Sequence, residues 1–104
     1  MRIFGIPNCD SCRLARKSLP GAEFQDIREK PLTHAEIEIF CTNFGDALVN
    51  RRSTTWRGLS DEDRALPIPE LIAKVPTVMK RPVIDQGGSL TLGFDAKVRA
   101  ALGV

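Results

Sequence analysis

A chain of 104 residues, 42% hydrophobic and 27% charged, is long enough for one core, too short for two, and outside the composition range of disordered proteins. Its formal net charge of +2 is too small to argue for a nucleic-acid partner, and no apolar run approaches membrane-spanning length. Three cysteines, an odd number, argue against a secreted disulfide framework; with no signal-peptide succession at the N-terminus, a reducing cytoplasm is the expected setting.

Residues 2–6 form a short apolar stretch that reads as a buried strand, and residues 10–19 have helical composition and apolar spacing. Pro20-Gly21 stops that helix, and residues 22–27 read as a second strand, so the first 27 residues suggest a βαβ unit with parallel strands. After Pro31, Thr33-His34-Ala35-Glu36 matches a capping box, and Ile37, Phe40, Cys41 and Phe44 lie on one face of a helix closed by Gly45. Cys41, at core spacing, is expected to be a small core hydrophobe. Residues 46–49 suggest a short helical turn. Residues 50–58 are polar and lack periodicity, which predicts a loop carrying Arg51, Arg52, Arg57 and Trp56. Short helices are expected to start at Ser60 and at Pro69, with a compact turn over 76–79. Residues 80–85 read as a strand entered through Pro82, residues 86–89 as a hairpin turn, and residues 90–94 as the return strand. Asp95 can cap a last helix with Val98, Ala101 and Leu102 on its inner side. The order predicts a single α/β domain over 1–104: a thioredoxin-like four-stranded mixed sheet with a helical insertion, about 31–76, between strands two and three.

The chemistry concentrates at Pro7-Asn8-Cys9-Asp10-Ser11-Cys12, a strand-to-helix junction. Helix N-termini leave N–H groups without internal partners and favour negative charge, so Cys9 near the cap is suited to be a thiolate, the reactive form of the thiol. Cys12, one turn on, is close enough to attack a mixed disulfide formed at Cys9. Two plainer readings compete. A zinc site needs four ligands, yet only Cys41 and His34 remain, one on an apolar face and the other expected in solvent; two inert core cysteines would waste the junction. By analogy with the thioredoxin-like fold, Arg81-Pro82 carries a cis bond entering strand three, and Arg81 then points at the Cys9 pocket. Arg51, Arg52 and Arg57 offer a planar fork for carboxylates and oxyanions, although a solvated basic loop is the expected role of Arg51 and Arg57. Trp56 reads as an anchor for that loop. Arg13, Arg16 and Lys17 form an exposed helix face, with Arg13 near enough to support the Cys9 thiolate.

Cys9-Asp10-Ser11-Cys12-Arg13 with Ala15-Arg16, Arg52-Ser53 after Ala47-Leu48-Val49, Lys80-Arg81-Pro82-Val83-Ile84 and Leu92-Gly93-Phe94 together resemble the arsenate reductase-like (ArsC) and Spx-like branch of thioredoxin folds. Asn8-Cys9-Asp10 and Thr54-Thr55-Trp56-Arg57 are most similar to its small YffB-type members, regarded as glutathione-dependent thiol reductases; Cys12 is more similar to Spx. The resemblance implies a nucleophilic Cys9 resolved by Cys12 or glutathione, an anion pocket from Arg81 before cis-Pro82 and from Arg52, and substrate contacts from Asn8, Arg13 and Pro82. It implies no bound cofactor or metal, glutathione as co-substrate and glutaredoxin as a partner. Two alternatives belong to the same branch: a redox-sensing regulator that binds the RNA polymerase α subunit, and a glutaredoxin-linked arsenate reductase. This chain has Gly5 where the arsenate reductases carry a histidine, and Gly93-Phe94-Asp95 where they use a further arginine. It also ends sooner after its last helix than the Spx-like proteins do.

Overall fold

Strands β1 (Arg2–Gly5) and β2 (Glu23–Asp26) run parallel, joined by helix α1 (Asp10–Ser18), in a computed structural model that describes residues 1–104. β3 (Val83–Gln86) returns antiparallel beside β1, and β4 (Ser89–Leu92) pairs antiparallel with β3, giving the order β2-β1-β3-β4. This is the expected thioredoxin-like mixed sheet. Met1–Lys30 with Arg81–Val104 make one compact unit and Pro31–Lys80 a second.

Strand alternation puts Ile3, its parallel partner Phe24 and its antiparallel partner Ile84 on one face of the sheet. That face packs on Ala15 of α1 and Leu19 just after it, on Phe94, and on Val98 and Leu102 of α6 (Ala96–Leu102). Each fully buried isoleucine contributes about 1.5–3 kcal/mol by leaving water. Ala101 was expected on that inner side and is instead exposed, because the buried stripe of this two-turn helix is only one i,i+4 pair wide. The buried polar Gln25 is satisfied: its Oε1 accepts from Arg2 and its Nε2 donates to the Lys30 carbonyl at 2.9 Å. The β3–β4 turn is tighter than the expected 86–89. Gln86 and Ser89 already pair, leaving Gly87 and Gly88, whose φ values of 60° and 92° suit glycine. The return strand stops at Leu92, before the predicted Phe94, since Gly93 turns away at φ 80° and donates to the Pro82 carbonyl.

In the second unit, α2 (His34–Phe44) starts at a complete capping box. The Glu36 N–H donates to Thr33 Oγ1 at 3.1 Å and the Thr33 N–H to Glu36 Oε1 at 2.8 Å. Thr33→Ala is expected to cost about 1 kcal/mol, read as a fall in Tm of roughly 4–8 °C. α2 packs on α5 (Ile68–Lys74) and on a 3-10 turn over Gly45–Leu48, burying Ile37, Phe40, Leu48, Leu71 and Ile72. Cys41 is not the core residue expected: it and Phe44 are half-buried, because the fully buried stripe of α2 narrows to Ile37 and Phe40. Its thiol is pushed up by burial and by Glu38. A Val49–Met79 bridge, with Asn50 N–H to Val78 O at 2.9 Å and Lys80 N–H to Leu48 O at 2.8 Å, ties the middle of this unit to its C-terminal end. The predicted loop over 50–58 contains a helical turn, α3 (Thr54–Arg57), whose N-terminus Ser53 caps by accepting from Trp56 N–H. A single turn beginning with two threonines has no apolar period to read. Another single turn, α4 (Asp61–Arg64), is capped by Ser60. No helix is long and apolar enough to cross a membrane.

Candidate active site

The chain leaves β1 through a turn with Pro7 and Asn8 at its centre, closed by Cys9 N–H on the Ile6 carbonyl at 3.4 Å. Cys9 then takes the N-cap position of α1 with extended backbone, φ −101° and ψ 128°, and its carbonyl accepts the first helical bond from Arg13 N–H at 2.9 Å. Its thiol closes no capping bond of ordinary geometry, but the sulfur is half-buried where the helix amides point. Burial pushes the Cys9 thiol up. The opposing influences win: the Cys12 N–H, the Cys12 S–H and the Arg81 guanidinium all favour the charged sulfur and hold its pKa below the ordinary thiol value.

Cys12 faces the other way in every respect. It is 0% exposed, and burial dominates in pushing its pKa up to about 12, with the Cys9 sulfur adding to the rise and the Ile6 N–H opposing it. The consistent state is a Cys9 thiolate that accepts a hydrogen bond from a protonated Cys12. One cysteine is therefore set up to attack, and the other keeps its proton until the first has reacted.

Arg81-Pro82 is a cis peptide, as the fold analogy anticipated, with Pro82 buried and the Arg81 guanidinium in hydrogen-bonding reach of Cys9. Asn8 is exposed in the turn preceding Cys9. Arg13 does not serve the thiolate. Its Nε donates to the Pro7 carbonyl at 3.3 Å and its Nη1 to Asp10 at 3.4 Å, so it braces the turn and leaves Arg81 as the charge on Cys9. The Ile6 amide borders Cys12 and carried no sequence signal except proximity, while Gly5, noted in the sequence only as a missing histidine, borders Cys12 by packing.

Arg52 belongs to the second unit. There a cavity of about 420 Å³ is lined by Ala47, Val49, Asn50, Arg51, Arg52 and Lys80, with three cations and no carboxylate. The Arg52 backbone N–H donates to Asn50 Oδ1 at 3.1 Å, and its side chain is exposed. Arg51 is committed elsewhere, donating to the Asp46 carbonyl and lying 5.2 Å from the ring centre of Trp56, which Arg64 also approaches at 5.9 Å. Trp56 is thus the anchor expected of it. Lys80 was missed as a cavity residue; its place beside Arg81 was the signal available. His34 is exposed and pairs with Glu38 at 3.1 Å, and no three metal-ligating side chains gather anywhere.

A model of the ArsC family matches residues 4–102. The global transcriptional regulator Spx of Streptococcus pyogenes is 33% identical, the match covering 96% of this chain and 83% of that one. Among solved structures, the YffB protein superposes with a TM-score of 0.86 at 29% identity over 96% of both chains. An arsenate reductase (ArsC) related protein from Brucella melitensis gives 0.74 at 31% identity, over 99% of this chain and 94% of that one. The family match runs through Cys9, Cys12 and Arg81, and the chain, a thiol-based redox protein, belongs to the ArsC family.

Proposed function

We propose that this protein is a glutathione-dependent thiol-disulfide reductase with Cys9 as its nucleophile. The observation that carries the reading is the pairing of a Cys9 sulfur favoured as thiolate with a Cys12 held protonated beneath it. Cys9 S⁻ attacks one sulfur of a disulfide RS–SR′, forming Cys9–S–SR and releasing R′S⁻. Cys12, giving up its proton to the departing RS⁻, attacks Cys9 Sγ to close a Cys9–Cys12 disulfide; two glutathione thiols reduce that bond and leave as glutathione disulfide. Glutathione can also attack Cys9–S–SR directly, which makes Cys12 dispensable for slow turnover, and glutaredoxin is the class of partner that would accept the glutathione adduct. Arg81 stabilises the anionic sulfurs in each step, and Arg52 lines a cavity with three cations and no carboxylate, a lining suited to a carboxylate group. Such a cycle belongs in the cytoplasm, where glutathione keeps thiols reduced. The test is a Cys12→Ser protein incubated with glutathione disulfide. A single glutathione adduct on Cys9, found by mass spectrometry and removed by free glutathione, supports the reading; no adduct refutes it.

The likeness to Spx, together with the two-cysteine motif, favours a second reading: a redox switch without turnover that binds the RNA polymerase α subunit. Capture of α by the protein in one redox state only would select that reading. Arsenate is disfavoured as substrate because Gly5 and Gly93-Phe94-Asp95 supply neither the histidine nor the arginine of the arsenate reductases.

A further inference from the structure

Gly5 is the last residue of β1, and its backbone does not need to be glycine. It is absent from the glycines with positive φ, its strand register opposite Asp26 is regular, and its carbonyl accepts from Ile27 N–H at 3.0 Å. What excludes a side chain is Cys12. A Cβ built on Gly5 would overlap Cys12 Sγ, while its next neighbours, Cys12 Cβ at 3.4 Å and Phe24 Cε1 at 3.6 Å, are at ordinary contact. The sulfur cannot simply yield, because Cys12 is fully buried and its Sγ is held between the Ile6 N–H and Cys9. Turning χ1 would take it out of line with Cys9, and one of the three rotamers is already disfavoured in a helix.

We propose that Gly5 is a positioning residue of the redox pair: the missing side chain is the seat of Cys12 Sγ, and only from that seat does Cys12 close on Cys9. This rests on the reading of Cys9 and Cys12 as a redox couple and adds the element that aligns them. It also gives Gly5 a physical role. A side chain there, a histidine included, would fill the seat that Cys12 Sγ occupies.

The experiment compares wild type, Gly5→Ala, Cys12→Ala and the double variant. Reacted with a mixed disulfide of glutathione and a chromophoric thiol, Gly5→Ala should still release the first thiol, slowed only as far as Cys9 loses its bond from the Cys12 S–H and by less than closure is slowed. Closure of Cys9–Cys12, followed by acid quench and mass spectrometry, should slow roughly tenfold or more, and its equilibrium constant against glutathione should fall similarly. In thermal unfolding Gly5→Ala should lower Tm by about 5–15 °C in the presence of Cys12 and by much less in the Cys12→Ala background. Closure of Gly5→Ala at the wild-type rate and equilibrium overturns the proposal. If Gly5→Ala does not fold, a folded double variant supports the seat, and an unfolded double variant overturns it. Should wild type itself form no Cys9–Cys12 disulfide, the redox reading fails, and the stability cycle still reports separately whether the sulfur occupies the Gly5 seat.

Discussion

Cys9→Ser is expected to reduce thiol-disulfide turnover to the uncatalysed rate while leaving the protein at least as stable as wild type. The two halves follow from one position. A serine hydroxyl is not ionised near neutral pH and does not exchange with disulfides, so no mixed disulfide forms. At an N-cap, however, serine is among the preferred residues, since its oxygen accepts from the amides of the first turn in better geometry than the Cys9 sulfur, whose approach to the Cys12 N–H is not an ordinary capping bond. Circular dichroism and Tm will therefore distinguish loss of chemistry from loss of fold. A Cys9→Ser protein with residual Cys9-type turnover would contradict the assignment of the nucleophile.

Arg81→Gln should cut the rate of Cys9 alkylation at pH 7 about 10–100-fold, the range expected on deleting one charge-assisted hydrogen bond. It should also move the midpoint of the alkylation pH profile upward, because Arg81 contributes both a hydrogen bond and a positive charge to the Cys9 thiolate. Raising the pH toward the ordinary thiol value then recovers much of the rate. An arginine that only held substrate would leave the pH profile of a small neutral alkylating agent unchanged, so this measurement separates activation from binding.

The same groups set the pH dependence of stability, with opposite signs. Cys9 has a depressed pKa in the fold, so its contribution is present above the unfolded thiol value near 9 and fades as pH falls through the folded value. Cys12 is raised to about 12, so its contribution is complete below about 9 and is lost as pH climbs from there toward 12. Denaturant titrations of wild type and Cys12→Ala should diverge in that alkaline window, wild type losing stability more steeply.

The junction itself was legible in the sequence because everything it needs is local: an apolar strand, a proline turn, and two cysteines spaced by one helical turn. Arg81 was not legible in that way. It reaches Cys9 only because β3 returns antiparallel beside β1, a long-range pairing that entered the sequence reading by resemblance to a fold. Arg13, closer in sequence, was expected to help, and its guanidinium instead donates to the Pro7 carbonyl and to Asp10. Gly5 looked like a departure from the arsenate reductases, a histidine missing. Packing explains the absence, since Cys12 Sγ fills the space. On α2, extending the apolar stripe at constant width through Cys41 and Phe44 overestimated burial that the helix sustains only at Ile37 and Phe40.

A coupled turnover assay tests the glutathione-dependent reductase directly: protein, glutathione, glutathione reductase and NADPH, with a small mixed disulfide of glutathione as substrate and arsenate in a parallel cell. Sustained NADPH oxidation is expected with the disulfide, abolished by Cys9→Ser and only slowed by Cys12→Ser, and a far lower rate with arsenate. A single stoichiometric oxidation to a Cys9–Cys12 disulfide, with no continuing NADPH consumption, would contradict it.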